Sequence, residues 1–502
     1  MRTRSPFLPV RAIAWIGVVF FLIWPTVALI GVCLFQGEAP DGGFSFSTRQ
    51  LGLLWRSSWL SAGATALCIL YSLPVVHALG RIAAAPTTCG AGIAALLAAS
   101  LLCPPMVYAF GWEQVWPGAL NPFLRCIVVW ALWAWPIPAL LIGFGWLRVG
   151  RSVSEAASLD ASTSANFLYA VLPALRGYVG LSALILFVVF NGEYSVPHAC
   201  GLMVYATELL GRAAGSSRTI DALWPAIPSV AVTLICLLFL FNKKGIGSRY
   251  SLSTGPLQSA KIRWSIPLSF FAVSWLLPIA ALVSKLTSVS AVGEAWMTYW
   301  RDMAWSLGVA ALAGVLVVAL GIATVVDPRL RRLAFVWAVV LGALPGALIG
   351  ESMIAAYNHS AFRWLYDHWP IVTLAYVARF AWVGMLVAAV ITVRSGGDLA
   401  AQARTDGADE VGILRFIYLP QAAPLLLCAM GVVTALAVGD LATSSLVRVP
   451  DFNPIAHVIV EKFHRREDDM LVCLSLFLVA ASLPGALLAA WASTRSVRTH
   501  VA

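Results

Sequence analysis

Stretches of about 20 apolar residues recur along the whole chain, and that is the length a helix needs to cross the hydrocarbon of a bilayer. They fall at 13–35, 57–80, 91–110, 126–147, 174–194, 223–242, 265–287, 305–326, 333–355, 371–393, 421–440 and 470–491. Inside lipid every backbone N–H and C=O must find a partner within the protein, so only helices and closed barrels span. No run shows the strict alternation of a barrel strand. The sequence therefore predicts an all-α, polytopic membrane protein with about twelve transmembrane helices. A mean hydropathy of +0.85 with 11% charged residues lies outside the range of soluble domains. The first run is too long for a removable secretory signal and lacks a small-residue cleavage site, so it is read as a retained span.

Basic residues orient the spans, because cytoplasmic loops carry the excess of Lys and Arg. Arg2, Arg4 and Arg11 precede the first run. Lys243, Lys244, Arg249, Lys261 and Arg263 lie between the sixth and seventh, Arg329, Arg331 and Arg332 follow the eighth, and Arg495 and Arg498 follow the twelfth. With twelve spans all of these share one side, which places both termini in the cytoplasm. The net charge of +10 is then a topological bias, and no soluble domain exists to use it on nucleic acid.

The nine Cys include no C-x-x-C and lie mostly inside runs, where they read as small apolar packing residues. The seven His are scattered without metal-ligand spacing. The sequence implies no cofactor, no metal site and no catalytic cluster.

The chain also repeats itself. Leu172-Pro173 and Leu419-Pro420 match at an offset of 247, each with an acid upstream at Asp160 or Asp406. Twenty residues beyond each proline stands another acid, Glu193 or Asp440. Earlier, "LWRSSWLSAGATAL" (54–67) parallels "YWRDMAWSLGVAAL" (299–312), and "LLCPPMVYA" (101–109) parallels "GALPGALIG" (342–350). These matches predict two homologous six-span repeats, 1–245 and 264–502, joined by a cytoplasmic linker at 246–263. An even number of spans per repeat makes the repeats parallel, with a pathway at their interface.

Two loops on the predicted cytoplasmic face, 148–170 and 395–418, are polar islands. Each reads as a short amphipathic helix, a turn and a second helix feeding a span near the Leu-Pro. Gly407 suits the turn and proline the first turn of the following helix. Such a knob, once per repeat, suits docking to another protein.

The order acid-Ala-Ala, two residues, Asp-Gly, then Leu-Pro fourteen after the Asp resembles the EAA loop of permease subunits of binding-protein-dependent bacterial ABC importers. Glu155, Ala156, Ala157 and Asp160 match it in the first repeat, with Ala161 in place of Gly and Leu172-Pro173 one residue early. In the second, Asp406, Gly407, Leu419 and Pro420 match at full spacing, while Ala401-Gln402-Ala403 replaces Glu-Ala-Ala. The resemblance implies a type I importer permease fold, coupling helices seated in a homodimeric ABC ATPase, and a periplasmic solute-binding protein as second partner. It also implies that the chain is not itself an enzyme, and no G-x-x-x-x-G-K-[ST] phosphate loop occurs in it.

Fused permeases of about this length resemble iron(III), thiamine and aminoethylphosphonate importers. Glu193 and Asp440 offer two readings. As a pair of acids near span ends they would line the translocation pathway and favour a cation, such as ferric iron or thiamine; alternatively each caps a helix end or pairs with a neighbouring Arg. Glu351 reads as a solvated span end or a cavity residue. "EKFHRREDDM" (461–470) reads as a solvated helix face or a landing surface for the binding protein. Trp112, Trp116 and Trp369 read as interfacial anchors, and "CPP" at 103–105 and "ALPGA" at 343–347 as kinks. Competing readings are an ion-gradient-driven secondary transporter and a membrane-embedded enzyme, neither of which accounts for two EAA-like loops.

Overall fold

The computed structural model describes residues 8–35, 43–84, 99–116, 120–148, 175–216, 218–242, 265–325, 327–394 and 398–501, with a few isolated positions between them. Among the described residues the fold is all-helical, without a β-strand. In the N-terminal segment, α1 (Leu8–Val18) and α2 (Trp24–Phe35) flank a π-helical turn at Val19–Ile23. There follow α3 (Thr48–Ala84), a 3-10 turn at Ala99–Leu102, α4 (Pro105–Val115), α5 (Pro122–Ala134) and α6 (Pro136–Arg148). Then come α7 (Arg176–Gly192), α8 (Ser195–Ala199), α9 (Tyr205–Gly215) and α10 (Thr219–Asn242).

The C-terminal segment opens with α11 (Ser265–Phe271) and α12 (Leu277–Val283) around a second π-helical turn at Ala272–Leu276. It continues through α13 (Ser290–Val325), α14 (Pro328–Ala343), α15 (Gly346–Tyr357), α16 (Arg363–Tyr366) and α17 (Pro370–Arg394). The last elements are α18 (Asp398–Thr405), α19 (Glu410–Ile413), α20 (Leu419–Val438), α21 (Ile455–Arg465) and α22 (Asp468–Val501).

Among the described residues eight helical stretches are long and apolar enough to cross a membrane, and two bent pairs raise that to ten. The run at 174–194 is an apolar helix of 17 residues, and much of 91–110 lies outside the described residues. The kink expected at 343–347 is a sharp break that divides the run at 333–355, with α14 and α15 bent by 118°. Leu344, extended before Pro345, ends α14, and Pro345 forms the N-cap of α15, because a residue before proline is pushed out of the helical region. Pro104 does the same ahead of α4.

Packing within each segment follows one plan. The long helix α3 packs on α5, α6 and α7, while the long helix α13 packs on α17 and α20. At the α13–α17 crossing, Gly321 and Gly384 bring backbone onto backbone: a Cβ on Gly384 would lie 2.2 Å from the Val317 carbonyl oxygen. Small residues at a helix crossing allow close approach where lipid supplies no hydrophobic drive.

Contacts between the segments are exchanged in pairs. α12 packs on α4, and α2 packs on α15. Tyr108 of α4 donates its hydroxyl to the Ser274 carbonyl, and Tyr357 of α15 donates to the Phe20 carbonyl at 2.5 Å. Both acceptors are freed by proline, which carries no N–H. The residue four beyond Ser274 is Pro278; for Phe20, the Trp24 amide turns to Val19 and the next residue is Pro25. Within each segment a matching bond occurs: the Tyr205 amide donates to Ser57 Oγ at 2.8 Å, and the Ile455 amide to Ser306 Oγ at 2.9 Å.

Two further expectations are corrected by burial. Trp112 is only 1% exposed and stacks on Trp116, inside the core rather than at a lipid–water boundary. Glu351 is 6% exposed, so it is not a solvated span end.

Candidate functional site

Two places carry the polar chemistry that the sequence singled out. The first is the loop between α17 and α20. Its helix α18 ends in a Schellman closure: the Ala408 amide donates to Ala403 O at 2.8 Å and the Gly407 amide to Arg404 O at 3.2 Å. Gly407 sits at φ +87°, a left-handed conformation open to glycine at little cost. Asp409 then starts α19, its Oδ1 accepting from the Gly412 amide at 2.9 Å, a standard N-cap arrangement. The chain runs on through a π-helical turn at Leu414–Tyr418 into α20, with Leu419 and Pro420 in its first turn. Residues 404–409 are all exposed, and Phe416 is 73% exposed.

Glu155, Ala156, Ala157, Asp160 and Leu172, the first copy of this loop, lie outside the described residues, as does the linker 246–263. Pro173 is described and exposed.

The second place is where α7 and α20 end against the two helix breaks. The end of α20 approaches the N-terminal segment's break, since a Cβ on Gly439 would meet Pro104 at 2.7 Å. The end of α7 approaches the other, Gly192 lying near Pro345. Glu193 and Asp440 follow these glycines, but their side chains differ. Glu193 is fully engaged: it accepts from the Ser195 amide at 2.6 Å, the Val196 amide at 3.1 Å and Trp130 Nε1 at 2.9 Å. From the position before the N-cap, Tyr194, it satisfies the first two amides of α8. Asp440 Oδ1 accepts only a long 3.5 Å contact from the Thr443 amide, and its buried Oδ2 has no partner among the described residues.

Sequence reading missed the third member of this site. Arg379, in α17, donates Nη1 to the Leu344 and Gly342 carbonyls, the acceptors freed by the break before α15. Both Asp440 and Glu193 act on it electrostatically, though neither forms an ion pair with it among the described residues. Its signal was present in the sequence: an arginine inside an apolar run is costly and marks a functional position.

Beyond Asp440, Ser444 bonds the Asp440 carbonyl at 2.7 Å and His457 Nε2 at 3.0 Å. Burial first, and the nearby Arg448 second, lower the pKa of His457 to about 4.

The segment 461–470 is a helix end rather than a continuous solvated face. α21 closes at Arg465, Arg466 turns left-handed, and Lys462–Glu467 and Arg465–Glu461 form ion pairs of 2.6 and 2.7 Å.

Residues 315–498 match the family model of the binding-protein-dependent transport system inner membrane component. No curated protein and no solved structure matches the chain. The family match takes in the break between α14 and α15, Arg379, the α18–α19 loop, Asp440 and α21. Together with the apolar helices it makes this an integral membrane protein and supports a permease component of a binding-protein-dependent ABC transporter. That is a family of transport components rather than of enzymes.

Proposed function

We propose that the chain is the membrane permease subunit of an ABC importer, two fused six-span repeats in one polypeptide. Both termini lie in the cytoplasm of a bacterial inner membrane. The observation that carries this is the exposed α18–Gly407–α19 knob, built by a Schellman closure and an N-cap, inside the segment that matches the transporter family. A rigid, protruding helix pair at the end of a membrane helix suits a cleft in an ATPase. Its counterpart around Glu155, Asp160 and Pro173 would seat in the second copy of that ATPase. The paired exchange of Tyr108–Ser274 and Tyr357–Phe20 supports the two-repeat reading.

In this account a periplasmic binding protein delivers cargo to the face remote from the knobs. ATP binding draws the knobs together and tips the repeats apart at that face. The cargo we favour is iron(III), with thiamine or a phosphonate as the alternatives. Asp440, with an oxygen that has no partner among the described residues, supports a cation; Arg379, on which it acts electrostatically, favours the anionic phosphonate. Glu193 contributes less than the sequence suggested, because its oxygens are taken by α8 and Trp130.

The test is co-purification from native membranes in mild detergent. An ATPase should co-elute in about twofold molar excess over the permease and be lost from a variant carrying Asp406→Ala and Gly407→Val. Absence of any ATPase would turn the reading to a gradient-driven transporter. A binding protein in the same eluate is then assayed for bound iron or thiamine.

A further inference from the structure

His198 of α8 and His464 in the last turn of α21 face each other with ring centroids 5.4 Å apart and planes inclined at 50°. One comes from the N-terminal segment, beyond α7, and the other from the C-terminal segment, beyond α20. Phe110 and Phe463 stack beside them at 4.6 Å and hold the two segments together there.

The tautomer of His464 is fixed. Its Nδ1 lies 2.8 Å from the Val460 carbonyl, an oxygen that only accepts, so Nδ1 carries the hydrogen and Nε2 the lone pair of the neutral ring. A ring N–H bonded to a backbone carbonyl is the usual support of a metal-binding histidine. The His198 ring contacts Tyr194 and His464 and makes no hydrogen bond among the described residues.

The spacing matches a specific chemistry. With a metal–nitrogen bond of about 2.0–2.1 Å, two imidazoles meeting at a tetrahedral angle hold their ring centres about 5.2 Å apart. The charged neighbours on α21 are already engaged, Lys462 by Glu467 and Arg465 by Glu461. No group of three potential ligands occurs among the described residues, so water would complete the coordination. Two neutral nitrogens suit a borderline divalent ion better than a hard one.

We propose that His198 and His464 form a two-imidazole site for a borderline divalent cation, Zn²⁺ or Cu²⁺, which staples the segment after α7 to the segment after α20. The site stands on this geometry alone and is independent of the cargo and the ATPase. If the importer reading holds as well, the bound ion restrains separation of the two repeats at that face.

The test is Cu²⁺ titration of the full-length protein, purified without an oligohistidine tag and followed by electron paramagnetic resonance. The expected result is one Cu²⁺ per chain showing hyperfine coupling to two imidazole nitrogens. His198→Asn and His464→Gln, which keep the side chains polar, should each weaken binding at least tenfold. A wild-type spectrum with fewer than two coupled nitrogens overturns the proposal whatever the variants do. So does binding unchanged in both variants. Neither result bears on whether an ATPase docks at the α18–α19 loop.

Discussion

The Tyr357 hydroxyl donates to the Phe20 carbonyl at 2.5 Å, across 337 positions of sequence. That carbonyl has lost its helical donor because Pro25 carries no N–H and the Trp24 amide has turned to Val19. Tyr357→Phe should therefore leave a largely buried acceptor unpaired and cost about 1–3 kcal/mol. Thermal unfolding of the purified protein checks it, with Tyr108→Phe, which frees Ser274, expected to fall by a similar amount. Unchanged stability in both would mean that these bonds do not anchor α2 and α12.

At the crossing of α13 and α17, Gly384 leaves no room for a methyl group, since a Cβ would lie 2.2 Å from the Val317 oxygen and 3.0 Å from the Val317 carbonyl carbon. Backbone cannot rotate away as a side chain can. Gly384→Ala should cost at least about 1–3 kcal/mol by overpacking, and Gly384→Leu should prevent accumulation of folded protein. Monodisperse size-exclusion elution of Gly384→Leu at wild-type yield would contradict the packing.

Arg379 is predicted to hold the break between α14 and α15. Arg379→Gln removes a charge-assisted donor from the Leu344 and Gly342 carbonyls, at a cost of about 1.5–3 kcal/mol. Asp440→Asn, which has a weak 3.5 Å contact to lose, should leave stability nearly unchanged. The same pair of variants reports on cargo. Under the iron(III) reading Asp440→Asn lowers uptake and Arg379→Gln, corrected for expression, does not; under the phosphonate reading the order reverses.

His457 predicts a pH dependence. Its folded pKa of about 4 lies below the ordinary value of 6.5, so the unfolded chain binds the extra proton first. Stability from this group is present above about pH 6.5 and is lost as the pH falls towards 4, by up to about 3 kcal/mol. Unfolding measured between pH 7 and 4.5 should show the loss in the wild type and less of it in His457→Gln. Parallel curves would remove His457 as the cause; His198, shifted in the same direction, would be the next group to replace.

Much of the helical layout was legible because apolar length is a local property: most runs named from sequence appear as helices. Gly407 was legible for the same reason, since Asp-Gly followed by an N-cap residue is turn chemistry written in consecutive residues. What escaped was set by partners distant in sequence. Trp112 is buried because α4 is covered by α12 and α21, and nothing near residue 112 announces that. Glu193 and Asp440 look equivalent in sequence, yet Trp130 and the short α8 satisfy one and not the other. The 118° bend at Leu344 and Pro345 was foreshadowed by proline, but nothing near it in sequence announces that Arg379 takes up the freed carbonyls.

The α18–α19 knob makes the central claim open to a single direct measurement. A photoreactive residue placed at position 406, which is exposed at the tip of the loop, is illuminated in native membranes and its adducts are identified by mass spectrometry. The account predicts a covalent adduct with an ABC ATPase, strengthened by ATP and abolished when Gly407→Val is added. Adducts with lipid alone, or none, in a membrane-inserted and monodisperse protein would contradict it.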